Sequence, residues 1–412
     1  MKAFPVAILL AAAPAWAQST RYPPDPPDKD RDADAHSHVW ESALDPERKP
    51  YADLIRQATD LLHQGTPDDT QAAIAKLDLA IAKLPKDAEA YVVRGDAYLA
   101  LHDWAQCAGD LGAADDRTPA TETTDHAKLE LELGICQARA GRYADAERTL
   151  ARAVALTPRG EQRMRLGEVR IALGKLDEAI EVLKAAAESG DGSTGMMHWL
   201  LAAAYDRARQ PSAADEEARI ASGYDRSFSA IVTPPYPLLG AGESDYLLGL
   251  AYRVAPPRPE YSVLYFRRFV KLAPASPWRR RADEHLREAA ALDLTLDRRT
   301  GNAALELDAA RAIVKKAMPA MRACLAKLPS TVFEVTVTRV GPRTPDSARD
   351  RPRFVVPPPG VTALPVLNID TASKADLVDA GRCLEPLAEK LALPAPKDRD
   401  TYYKAAFLIV SP

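Results

Sequence analysis

The feature of this 412-residue chain that most restricts its fold is an apolar pattern that recurs along the first three quarters of the sequence. Leu77, Leu111, Leu150 and Leu183 mark the pattern and are separated by 34, 39 and 33 residues. Between them, small and apolar residues recur three and four positions apart, which is the period of a helix with one buried face. Hydrophobic residues make up 47% of the chain and aromatic residues only 6%, so the core is built from alanine and leucine. That composition suits stacked helices better than a β-sandwich.

Glycine and proline interrupt this pattern at regular places. Gly134 and Gly167 lie within the first helix of two successive repeats, where a missing side chain lets two helix backbones approach closely. Pro119 and Pro158 follow the second helices, and proline cannot continue a helix. We therefore expect helix–turn–helix units that stack into a solenoid.

The pattern resembles the tetratricopeptide repeat (TPR), a helix–turn–helix unit of about 34 residues. The resemblance covers residues 51–295, about five to six units, and is clearest in units two to four. The motif positions in these units are Tyr91, Gly95, Tyr98, Trp104, Cys107, Leu111 and Ala114; Leu133, Gly134, Tyr143, Ala146, Leu150 and Ala153; and Leu166, Gly167, Leu176, Ala179, Leu183 and Ala186. The resemblance implies a protein that binds other proteins or peptides.

The N-terminal residues predict export. Residues 1–17 contain a lysine, a short apolar run and Ala15-Trp16-Ala17 before Gln18, which is typical of a cleaved secretory signal peptide. The apolar run is too short to cross a membrane, so we expect no transmembrane segment in the mature chain. Residues 18–50 are rich in proline and aspartate and predict a disordered arm. The expected location is the periplasm or the outer-membrane periphery.

The last hundred residues depart from the repeat and predict a small α+β domain over residues 303–412. Residues 303–328 have one apolar helix face, and TVFEVTVTRV alternates as a strand with one solvent-facing side. PVLNID predicts a short strand, a helix runs from about Lys374 to Leu391, and TYYKAAFLIV predicts the last strand. The basic, proline-rich residues 341–360 predict a flexible insertion.

This arrangement resembles the C-terminal domain of TonB, in the two-cysteine form found in envelope and gliding-motility proteins of myxobacteria. The resemblance is carried by Ile313-Val314 before Cys324, by Cys383 on the second helix, and by Leu393-Pro394-Ala395-Pro396 before the last strand. Leu325 stands where that family has a tyrosine, and the hairpin turn is enlarged. The resemblance implies strand addition at the edge of the sheet. Because the mature chain has no expected membrane anchor, we expect scaffolding and not energy transduction.

The four cysteines fall into two pairs, and an oxidising compartment permits disulfides. We expect Cys324 to be bonded to Cys383, because both lie at the edge of apolar helix faces that pack on the same sheet. Cys107 and Cys136 lie on neighbouring helices of the stack. For this second pair a disulfide and two separate buried thiols are both open.

The sequence contains no recognisable catalytic motif. The seven histidines are scattered, and HExxH, a Walker loop and GxGxxG are absent. We therefore predict no catalytic residue, no cofactor and no metal. The net charge of −4 predicts no nucleic-acid partner. The alternative is a docking subunit or an enzyme of cell-wall metabolism, whose active site would be assembled from distant residues.

A partner is expected on the concave face of the solenoid, which the first helix of each unit forms. The predicted groove residues are Asp96, Leu99, Leu131, Ile135, Arg139, Met164, Glu168, Trp199, Arg207, Tyr246 and Arg253. This mixture of apolar and charged side chains suits an extended peptide or a helix, and an ordinary solvent-facing surface is the alternative. The sequence thus predicts an exported, non-enzymatic scaffold for protein or peptide partners in the cell envelope.

Overall fold

The computed structural model describes residues 46–411, except 119–122, 234–237, 255–256, 292–295, 302, 329, 343–358, 369–371 and 400. The predicted signal peptide and most of the predicted arm lie outside the described residues, as does most of the predicted insertion. The chain forms two compact units, Met1–Gly240 and Ala241–Pro412.

The first unit contains five successive helix pairs. The pairs are α1 (Arg48–Gln64) with α2 (Pro67–Lys83), α3 (Glu89–Ala100) with α4 (Trp104–Asp115), α5 (Thr123–Arg139) with α6 (Tyr143–Leu156), α7 (Gly160–Ala172) with α8 (Leu176–Ser189), and α9 (Thr194–Arg207) with α10 (Pro211–Tyr224). A short helix, α11 (Ser229–Val232), follows them. Helix α1 begins at Arg48, so residues predicted for the arm already belong to the first repeat. These pairs confirm the predicted helix–turn–helix units of this region.

A glycine of the first helix meets a leucine of the second helix in three of the pairs. A Cβ built on Gly134 would lie 2.5 Å from Leu150 Cγ, and one built on Gly167 would lie 2.5 Å from Leu183 Cγ. Real Cβ atoms essentially never approach another heavy atom so closely. The glycines therefore set the distance between the two helices of a pair, as the sequence predicted.

The same turn joins the two helices in four of these pairs. One backbone N–H donates to the carbonyl five residues earlier, and the residue before the donor has a positive φ. The bonds are Asp103 to Tyr98, Arg142 to Gln137, Lys175 to Arg170 and Gln210 to Tyr205. Glycine adopts this conformation without strain at Gly141 and Gly174, where φ is 77°. The turn chemistry is therefore repeated along with the apolar pattern.

The second unit combines three helices with an antiparallel sheet and two further helices. The helices are α12 (Glu243–Val254), α13 (Pro259–Leu272), α14 (Arg279–Ala291), α15 (Leu307–Cys324) and α16 (Lys374–Glu389). The strands are β1 (Leu296–Gly301), β2 (Thr331–Val340), β3 (Gly360–Asn368) and β4 (Tyr402–Val410), in the spatial order β1-β4-β2-β3. The structure confirms strands β2 and β4 and extends β3 beyond the predicted PVLNID. The sequence did not predict β1, because LDRRTG has no apolar alternation.

Both faces of the sheet carry buried side chains, so the prediction of one solvent-facing side for β2 is wrong. Phe333 and Val335 belong to the apolar cluster formed with α15 and α16. Val332, on the opposite face of β2, belongs to a cluster with Leu264 of α13. Arg267 of α13 also donates from Nη1 to the Ser411 carbonyl, 2.7 Å away. Helix α13 covers this face, which strand alternation alone could not reveal.

Both cysteine pairs are disulfide-bonded. Cys324–Cys383 joins α15 to α16, with 5.7 Å between the Cα atoms. Cys107–Cys136 joins α4 to α5, with 5.9 Å between the Cα atoms. The first bond confirms the prediction, and the second resolves the open alternative in favour of a disulfide between repeats two and three.

We expect Gly134→Ala to destabilise the first unit, although alanine is the better helix former. The new methyl group would overlap Leu150 and cost about 1–3 kcal/mol in the free energy of unfolding, and Gly134→Leu or Gly167→Leu would cost more. The matched control is Gly112→Ala in α4, because a Cβ there meets no atom within 4 Å. Thermal and urea unfolding would show the difference. Equal effects of the two alanine substitutions would contradict the proposed crossing.

Replacing Cys324 and Cys383 together by serine should lower the stability of the second unit. The bond closes a separation of 59 residues. In the loop-entropy model its loss raises the entropy of the unfolded chain, which should lower the free energy of unfolding by about 4 kcal/mol. Denaturant unfolding of the double variant measures the loss. Peptide mapping of unreduced wild-type protein is the companion measurement, and free thiols at both positions would refute the bond.

Candidate partner-binding groove

The groove residues predicted from the sequence are mostly buried in the structure. Leu99, Leu131, Met164, Glu168, Trp199, Arg207 and Tyr246 are buried, and Asp96, Ile135, Arg139 and Arg253 are half-buried. Nine of these eleven lie on the first helices α3, α5, α7 and α9, as expected for a face formed by successive first helices. Tyr246 and Arg253 belong to the second compact unit. The face is therefore less open than the sequence suggested.

The centre of this face is covered by a segment of the chain that is neither helix nor strand. Leu238 follows α11 in the sequence and is only 2% exposed. It belongs to the same apolar cluster as Leu131 of α5 and Leu166 and Val169 of α7. Its backbone N–H donates to Glu168 Oε1 at 3.2 Å. Part of the expected groove is thus filled by the protein itself.

A buried ion pair lies beneath this segment. Arg165 Nη1 is 2.9 Å from Glu168 Oε2, and the Glu168 side chain is completely inaccessible to solvent. Burial alone would lower the pKa of Arg165, but the charge and hydrogen bond of Glu168 raise it above the ordinary value. Glu168 offers one carboxylate oxygen to Arg165 and the other to the backbone N–H of Leu238. The Glu168 carboxylate is therefore a buried hydrogen-bond acceptor on this face.

Arg139 adds a second guanidinium near this pair. Burial lowers the pKa of Arg139, and the negative charge of Glu168 opposes that shift. The Arg139 guanidinium also lies 5.9 Å from the ring centroid of Trp104. Glu168 therefore acts on both guanidinium groups, and Glu161 also acts on Arg165, so charges of both signs lie close together here.

Trp199 is held by the turn after α10 and is not presented to solvent. Its indole Nε1 donates to Asp225 Oδ2 at 3.2 Å, and Phe228 packs edge-on with the ring centroids 5.7 Å apart. The same carboxylate accepts backbone N–H bonds from Ser229 and Ala230. Trp199 thus fixes the chain that follows α10, and only the tertiary structure reveals this role.

Tyr246 and Arg253 also make contacts within their own unit. Tyr246 is fully buried and packs edge-on against Phe266 and Phe269, at 5.4 and 5.0 Å between ring centroids. Arg253 Nη1 lies 3.2 Å from His285 Nδ1. Tyr246 is therefore a core residue, which corrects its predicted place in an open groove.

A polar cluster at the junction of repeats two and three was not predicted from the sequence. His126 Nε2 lies 2.5 Å from Asp115 Oδ1 and 4.0 Å from Glu130 Oε1. Arg152 contacts both carboxylates, with Nη2 3.0 Å from Asp115 Oδ2. Carboxylate and imidazole atoms this close can ligate a metal, but here the guanidinium pairs with both acids. The cluster is an ion-pair network that ties α4, α5 and α6, and no sequence spacing marks it because three helices contribute.

The chain matches no model of a protein family and no curated protein sequence. Its structure is similar to that of YrrB, described as a TPR protein with an unusual peptide-binding site, with a TM-score of 0.39, 21% identity, and coverage of 46% of this chain and 92% of that one. MamA from Desulfovibrio magneticus RS-1 gives a TM-score of 0.38, 20% identity, and coverage of 44% and 96%. PilW, a type IV pilus biogenesis factor, gives 0.38, 17%, and coverage of 58% and 98%. These similarities concern the helical fold alone.

No helix in the described part of the chain combines the length and the apolar character that a membrane crossing requires.

Glu168→Leu should destabilise the first unit strongly, because it leaves the Arg165 guanidinium buried without its counter-charge. The expected loss in the free energy of unfolding is about 3–5 kcal/mol. The double variant Arg165→Met/Glu168→Leu should recover part of this loss, because it removes the buried Arg165 charge together with its counter-charge, while Arg139 and the Leu238 N–H still lose Glu168. Asp53→Ala, which breaks the exposed pair with Arg56, is the control and should cost no more than about 1 kcal/mol. Urea unfolding measures all three, and a double variant as unstable as Glu168→Leu would contradict the assignment.

Proposed function

We propose that this protein is an exported, non-enzymatic scaffold that binds protein or peptide partners on the face formed by its first TPR helices. The observation that carries the proposal is the seat of Leu238 on that face. A leucine side chain enters the apolar cluster, and the backbone N–H of the same residue bonds to a buried carboxylate. A surface that receives both a side chain and a main-chain amide is suited to an extended polypeptide.

The proposed location is the periplasm or the outer-membrane periphery. Two disulfides support it, because such bonds persist in oxidising compartments and are rare in the cytosol. Export is also supported by the N-terminal apolar run and by the Ala15-Trp16-Ala17 sequence before Gln18, which are typical of a cleaved signal peptide. The partners proposed are therefore proteins or peptides of the cell envelope.

We also propose that the sheet of the second unit, which resembles the TonB C-terminal domain in sequence, offers a further contact surface. Strand β3 lies at one edge of the sheet, and its Leu364 and Val366 side chains are exposed, Leu364 by 62%. Exposed apolar residues on an edge strand favour pairing with another chain. Pro365 lies between them and has no N–H, which limits the length of strand that could be added. For this reason we assign the main partner site to the helical face.

Site-specific photocrosslinking in cells tests the scaffold proposal. A photoreactive phenylalanine at Asp96, on the half-buried part of the helical face, should give a defined crosslinked partner in the envelope fraction. The control is the same residue at Arg148, whose side chain is 70% exposed on a second helix. Equal crosslinking at both positions, or none at Asp96, would argue against a partner on this face.

A further inference from the structure

We propose that the segment Leu238–Gly240 is an internal ligand that occupies the partner-binding face and is displaced when a partner with the same chemistry binds. This inference rests on the proposed function and adds a regulation to it. The occupant of the face in the free protein is the chain itself. The competing occupant is an extended peptide that carries a leucine-like side chain.

The segment is bound as a peptide would be. Leu238 and Leu239 are both buried, although they belong to no helix or strand. The backbone at Gly240 runs beside the Tyr143 hydroxyl, since a Cβ built on this glycine would lie 3.7 Å from Oη. Side chains from α5 and α7 complete the apolar seat of Leu238. Two repeats that are distant from the segment in the sequence therefore hold it.

The acceptor beneath the segment explains why the face should not stay empty. Glu168 is fully buried; its Oε2 is bonded to Arg165 and its Oε1 receives the Leu238 N–H. If the segment left without replacement, Glu168 would lose the Leu238 N–H and the apolar seat of the Leu238 side chain would be exposed to water, which is unfavourable. A competitor must therefore supply both an N–H and an apolar side chain at the same residue. Proline cannot fill this position, and neither can a residue with a charged side chain.

The covalent link makes the segment an effective competitor. A short connection holds a tethered ligand at an effective concentration on the order of millimolar, so a free peptide must overcome that advantage. A partner binds only those molecules in which the face is free, so its apparent affinity falls in proportion to the fraction of molecules with a free face. Weakening the internal contact should consequently strengthen the binding of a peptide from outside.

Fluorescence anisotropy with a labelled peptide of residues 233–241, TPPYPLLGA, tests this competition on the full chain. Wild-type protein should bind the peptide weakly, and Leu238→Asp should bind it at least about tenfold more tightly, because the charge expels the internal segment. Leu238→Ala is the second variant and should shift the affinity in the same direction with less disturbance of the fold. Leu79→Asp, at a leucine that is 59% exposed in α2, is the matched control and should behave as wild type. Circular dichroism verifies that each variant is folded.

The peptide itself tests the role of Glu168 without any change to the protein. N-methylation of the leucine that corresponds to Leu238 removes its N–H and should weaken binding to the Leu238 variants by at least about tenfold. Equal binding of the methylated peptide would overturn the proposed seat on Glu168. Equal affinity of wild-type protein and the Leu238 variants would overturn the competition but leave the scaffold function in place. Binding by none of the folded proteins would overturn both this inference and the peptide-binding function.

Discussion

The close contact between a glycine on the first helix of a repeat and a leucine on its second helix is the interaction on which the first unit depends. It recurs at Gly95, Gly134 and Gly167, which meet Leu111, Leu150 and Leu183. Because no Cβ separates the helices, they cross at the same short distance in each of these repeats, and the next pair finds an equivalent surface on which to stack. The regular face of first helices is a consequence of this spacing.

That face is both apolar and charged, and the charge is buried. Removing the charged groups of Arg165 and Glu168 from water costs free energy, so the ion pair by itself adds little to the stability of the fold. We attribute its presence to the specificity of the contacts made on this face. Its geometry places one carboxylate oxygen where a main-chain amide can reach it, and the chain uses this acceptor for its own Leu238. In the function that we propose, a scaffold that fills its own site would avoid exposing apolar surface before a partner arrives, and it would select partners that can make the same two contacts.

The second unit is stabilised differently, because its sheet needs cover on both faces. Helices α15 and α16 cover one face and are bonded through Cys324 and Cys383, while α13 covers part of the other. Helix α13 has the apolar period of a repeat helix, yet it packs on strands β2 and β4 through Leu264. The same helix therefore serves the repeat pattern and the core of the sheet, which makes this region one compact unit.

The sequence by itself determined the features that depend on local period. These are the helix pairs, the glycine crossings, strands β2 and β4, and the helices that carry Cys324 and Cys383. It did not determine which surfaces are covered, because coverage depends on segments that are distant along the chain. Trp199 and Leu131 were predicted to line an open groove, but Trp199 is buried and bonded to Asp225, and Leu131 is buried in one cluster with Leu238. Two further features likewise required the tertiary structure: the cluster of Asp115, His126, Glu130 and Arg152, and the pairing of the polar strand β1 with β4. Each joins residues whose neighbours in the sequence give no sign of the contact.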